Sequence, residues 1–142
     1  MIIIAIVLII DFITKYLISN NMQVNESIEI IHNVFDITYV QNTGAAWGIM
    51  SSKSNVLTVV IIALLVLLLV YTIKSKPKKY EKAAIMMIIA GGVGNLISRF
   101  VHGYVIDFLN IHIIPVFNVA DISICIGCAL LILAIFVLEK DE

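Results

Sequence analysis

Four stretches of this chain are almost wholly apolar, and each is close to the roughly 20 residues a helix needs to cross ~30 Å of hydrocarbon. They cover about 1–18, 56–73, 83–101 and 119–138 of the 142 residues. A backbone in lipid must satisfy its own N–H and C=O groups, so each run is confined to helix. Composition agrees: 61% of residues are hydrophobic and 13% charged, against about 45–50% apolar in ordinary soluble domains. The expectation is an all-α membrane protein, one integral membrane domain over 1–142 with four transmembrane helices. The first run does not read as a signal peptide, because its charges sit at the wrong end and no small-residue cleavage site follows. It is short for a span, so the natural start is expected upstream.

Between the second and third runs lies KSKPKKYEK, with Lys74, Lys76, Lys78, Lys79 and Lys82 around Pro77. Basic residues in a short loop stay on the cytoplasmic side. Both termini are then cytoplasmic and both longer connections face outward. The first connection, about 20–53, contains SIEII and FDITYV, whose alternating β-branched and apolar residues read as two short strands. They form a small extracytoplasmic β-sheet on the membrane surface, with Phe35, Tyr39 and Trp47 expected in the interfacial belt. The second connection, 102–117, reads as a shorter loop carrying Asp107 and Pro115.

On this topology the polar residues of three spans agree in depth. Asp11 and Lys15 are four apart near the outer end of the first span, on one helix face. Asn95 and Arg99 are four apart near the outer end of the third. Asn118 and Asp121 open the fourth. Scattered structural polar residues have no reason to share a depth, so the agreement points to one site. Each part also has a plainer reading. Asp11 and Lys15 read first as a pair that neutralises itself and holds helices together. Asn95 and Arg99 stand open between that kind of role, with Arg99 reaching headgroups, and a part in the chemistry. Gly91, Gly92 and Gly94 read as close-approach positions, and Cys125 and Cys128 as packing residues. Neither His32, His102 and His112 nor the two cysteines show the spacing of a metal site, and no cofactor is expected.

Asp107 and Asp121 resist the plainer reading. An ionisable residue near a span is costly and marks function by default. Two carboxylates at a partly dry site share one proton, so one member can act as base while the other donates. Asp121, in the first turn of a helix, is favoured in its charged form and reads as the base. That is peptide hydrolysis by an acid pair; HExxH and GxSxG motifs are missing.

DFITKY, QNTGAAWG, GGVGNLISRF, GYVIDF and FNVADISICIG, in this order over nearly the whole chain, resemble the lipoprotein signal peptidases (signal peptidase II). The resemblance implies a bacterial cytoplasmic-membrane aspartyl endopeptidase with four helices and a β-cradle. It would cut diacylglyceryl-modified prolipoproteins before the lipidated cysteine. It implies catalytic Asp107 and Asp121, supported by Asp11, Lys15, Asn42, Gly44, Asn95, Arg99 and Asn118, with the sheet and Trp47 covering the site. Globomycin-type cyclic peptides would occupy the same place. Membrane lipids are the other expected partners, nucleic acid is not one, and a monomer suffices. The family usually reads GNLIDR where this chain has GNLISR. Ser98 can hydrogen-bond there but cannot balance Arg99. Two other readings use the same residues: a non-catalytic membrane binder of lipoproteins or lipids, and a proton-relaying subunit. A relay would need acids along the membrane depth, and the cytoplasmic halves of the spans carry none.

Overall fold

The structure, a computed structural model, describes residues 2–44 and 54–138. Trp47 lies outside the described residues. The chain runs α1 (Ile2–Asn21), β1 (Ser27–Ile31), β2 (Phe35–Asn42), α2 (Ser54–Ser75), α3 (Lys79–His102), β3 (Val105–Asn110) and α4 (Val119–Leu133), which continues as a π-helical turn over Ala134–Leu138. Four of the described helices are long and apolar enough to span a membrane. They alternate in direction, so one end of the bundle carries the sheet and the other the lysine-rich loop.

The helices meet mainly through α3, which packs on α4, α1 and α2. Lipid tails are as apolar as leucine, so helices in a bilayer associate through close packing rather than through hydrophobic burial. Small residues make that packing possible. A Cβ on Gly91 would sit 2.2 Å from the Ala120 carbonyl oxygen, so only glycine allows α3 and α4 to approach this closely. α3 begins with the Lys78 N–H donating to the Glu81 carboxylate at 2.9 Å. It ends at Gly103, whose φ of 80° is the left-handed conformation glycine adopts freely.

The sheet has three antiparallel strands in the order β1–β2–β3. β1 and β2 are the strands expected from SIEII and FDITYV, with Ile28 facing Ile37 and Glu29 facing Asp36. The third strand replaces a loop expected over the second connection. Its residues from Val105 to Phe108 are all buried, so apolar and polar positions do not alternate along it. Tyr39, expected at the membrane interface, is instead buried with Ile106 and Phe108, and Ile18, Met22 and Val119 pack against them. This cluster fastens the sheet to the end of α1 and the start of α4.

Candidate active site

Asp107 lies in the middle of β3, opposite Val40 of β2. Between Ile37 and Val40 the pairing slips by one residue, a β-bulge of the kind that re-aims side chains beside active sites. After β3 the chain turns back, and Leu109 and Phe117 exchange hydrogen bonds of 2.8 and 3.0 Å. That return places Asn118, the next residue, beside the Asp107 carboxylate.

Asn118 is the N-cap of α4 and is fully buried. Its Oδ1 accepts from the Asp121 N–H at 3.0 Å. Its own N–H donates to Asp121 Oδ2 at 3.1 Å, completing a capping box. Its Nδ2 donates to Asp107 Oδ1 at 2.6 Å and to Asn95 Oδ1 at 3.1 Å. One residue therefore ends a strand return, starts a helix and holds both acids, Asp107 by its side chain and Asp121 by its backbone N–H.

Asn95 extends the network into α3. Its Nδ2 donates to Asp121 Oδ1 at 2.7 Å, and its Oδ1 accepts from Lys15 Nζ at 3.1 Å. Turning this amide over would set its NH₂ against an ammonium, so the network fixes its orientation. Lys15 pairs with Asp11 Oδ2 at 2.8 Å, and both residues are buried. Asp11 Oδ1 also accepts from the Ala120 N–H at 3.0 Å. An acid on α1 thus satisfies a free amide in the first turn of α4, where the helix dipole favours negative charge. Gly94 makes room for it, since a Cβ there would lie 2.7 Å from Asp11 Oδ2.

On the open side, Asn42 at the end of β2 donates from Nδ2 to Asp107 Oδ2 at 2.8 Å. Its Oδ1 accepts from the Gly44 N–H at 2.8 Å. Gly44 has φ of 78°, so the turn that orients Asn42 favours glycine. Arg99 bonds back to the Asn95 carbonyl at 3.4 Å and lies close enough to both acids for its charge to act on them.

The two carboxylates occupy different environments. Asp107 is 2% exposed, whereas Asp121 is half-buried. Burial pushes the Asp107 carboxyl up to about 6, opposed by the Asn42 hydrogen bond, raised further by the nearby Asp121 charge, and lowered by Asn118 and Lys15. Such a pair can divide the roles of proton donor and proton acceptor.

Every sequence-expected residue among those described falls in or against this one network: Asp11, Lys15, Asn42, Gly44, Asn95, Arg99, Asp107, Asn118 and Asp121. Ser98 stands aside, its hydroxyl donating to the Gly94 carbonyl at 3.2 Å. Two participants, the backbone N–H groups of Asn118 and Ala120, were not visible in the sequence, because backbone groups carry no residue signature.

A model of the family described as Signal peptidase (SPase) II matches residues 3–137. The chain belongs to the signal peptidase II family. Among curated members of signal peptidase II, the lipoprotein signal peptidase of Halothermothrix orenii is 43% identical over 98% of this chain and 96% of its own. That of Clostridium acetobutylicum is 38% identical over 99% and 94%. A solved bacterial membrane enzyme superposes with a TM-score of 0.89 at 36% identity, covering 96% of this chain and 91% of its own. A second such enzyme gives a TM-score of 0.87 at the same 36% identity. Membership of signal peptidase II makes the chain a multi-pass bacterial membrane peptidase.

Proposed function

We propose that this chain removes the signal peptide from diacylglyceryl-modified prolipoproteins by aspartyl chemistry, cutting before the lipidated cysteine. The observation that carries the reading is the pair Asp107 and Asp121 held by one residue, Asn118, with unequal burial. The relatives' shared name, lipoprotein signal peptidase, supports the substrate class.

Asp107, its carboxyl raised by burial, is the proton donor, and Asp121, in the first turn of α4, is the base. Asp121 takes a proton from water as the oxygen attacks the scissile carbonyl, and Asp107 gives its proton to the carbonyl oxygen. The tetrahedral diol collapses when Asp121 returns its proton to the leaving nitrogen and Asp107 reclaims one from a hydroxyl. One water is consumed and the pair is restored. Arg99 supplies positive charge beside the developing oxyanion.

The sheet end faces outward in this reading, because the lysine loop at the other end carries the cytoplasmic signal. Both termini are then cytoplasmic, and the acids lie near the extracytoplasmic boundary. A substrate anchored by its lipid and its signal helix has its scissile bond held at that depth, which converts much of the search into an intramolecular one. Globomycin-type cyclic peptides compete for the same groups. A single copy contains the whole network, so a monomer is sufficient.

The test is cleavage of a diacylglyceryl-modified prolipoprotein by the purified protein, followed by mass spectrometry. The parent is expected to cut before the lipidated cysteine, while Asp107→Asn and Asp121→Asn lose on the order of 10³-fold or more. Equal cleavage by all three would show that the acids are misassigned. A folded parent that binds substrate without cutting it would favour a binder.

A further inference from the structure

α1 and α3 run side by side in one direction and leave between them a cavity of about 640 Å³. Ile9, Phe12 and Ile13 form one wall, Ile97 and Val101 the other, and Ile106 of β3 closes the sheet end. Phe12 and Val101 are each 67% exposed, so the cavity opens sideways into the hydrocarbon. Phe12 and Tyr16 stack with ring centres 6.4 Å apart and form a continuous rim along α1. The floor is Asp11, Lys15, Gly94 and Ser98, all buried.

We propose that this groove is a binding site for one membrane glycerophospholipid, with an acyl chain along the groove and the glycerol-phosphate region at the end marked by Ser19 and His102. Two features select that occupant. Along α1 the lining runs from Leu8 to Ser19, about 16 Å at ~1.5 Å per residue. That matches one leaflet, half of a ~30 Å hydrocarbon core. Second, Ser19 and His102 put polar side chains at the sheet end of the groove, where a headgroup would sit.

The substrate's own lipid is a poor occupant. Successive strand residues point to opposite faces, so Ile106 faces the groove while Asp107 faces away from it. The layer made by Lys15, Asn95 and Asn118 adds a second barrier between groove and acids. A resident acyl chain lies instead over the back of the Asp11–Lys15 pair. It keeps bilayer-penetrating water from a pair whose attraction is strong only in a dry setting.

The whole protein is reconstituted in bilayers containing a phosphatidylethanolamine with a diazirine in its acyl chain, irradiated, and its adducts are mapped by peptide mass spectrometry. Adducts at Ile9, Ile97 and Val101 are expected to exceed those at Val59 and Leu67, comparably exposed on α2, by several-fold. Ile97→Trp is expected to abolish the excess while eluting and melting like the parent. Should it misfold, Val101→Trp takes its place. Even labelling of all lipid-facing positions overturns the proposal. So does an excess that disappears when saturating diacylglyceryl-modified prolipoprotein is added, because the groove would then hold the substrate's chains. An excess that survives the addition supports it. Labelling requires no turnover, so its result is independent of the peptidase reading.

Discussion

Asn118 holds both acids, one by its side chain and one by its backbone, and that double grip makes it as consequential as the acids themselves. Asn118→Ala removes the cap of α4, worth about 1 kcal/mol, and releases Asp107 from a 2.6 Å bond. A catalytic group displaced by ~1 Å loses on the order of 10²-fold. The variant is expected to fold, melt a few degrees lower and cleave about 100-fold more slowly, measured by thermal unfolding and by turnover of the same preparation. Asp107 carries a pH signature as well. Its carboxyl is raised to about 6 in the folded protein, so the protonated form is the one that folding favours. Stability from this group is full below the ordinary carboxylate range and is lost as pH rises to about 6. Activity follows the same proton: kcat/KM is expected to fall with unit slope as pH rises through about 6, if Asp107 must enter protonated. A flat profile between pH 5 and 7.5 would remove Asp107 from the role of proton donor.

Helix crossings set the register of the site. Gly91 and Gly94 lie one turn apart on α3, the first against the Ala120 carbonyl and the second against Asp11. Gly91→Val forces α3 and α4 apart, and a core overpacked in this way costs typically 1–3 kcal/mol. It is expected to lower the unfolding midpoint and to abolish cleavage together, whereas Gly92→Ala meets only the flexible end of Leu65 and is expected to keep activity. The helices and the first two strands were legible because their signals are local: apolar length for spans, alternation for β1 and β2. β3 was not, since burial on both faces removes alternation, and an acid in a short run reads as loop. Val105, Ile106 and Phe108 between Gly103 and Pro115 were the available sign, a β-branched and aromatic run between turn residues. The site itself was legible as agreement in depth. Its wiring was not, because the contacts of Asp11 with Ala120 and of Asn42 with Asp107 join residues 109 and 65 positions apart.

Seen whole, the molecule is polarised: acids, amides and sheet at one end, five lysines around Pro77 at the other. If the lysine end is cytoplasmic, trypsin is expected to cut the 74–79 loop in inverted membrane vesicles and to leave it intact in spheroplasts. The reverse pattern would turn the site to face the cytoplasm. The network draws on α1, β2, α3, β3 and α4, so the parts of the proposed catalytic centre are spread from Asp11 to Asp121 along the chain. During synthesis, then, no shorter product possesses a working blade. The final span must enter the bilayer and dock before Asn118 can seize either acid. For a protease that lives among the membrane's other proteins, assembly of the proposed centre by the last span is itself a safety catch.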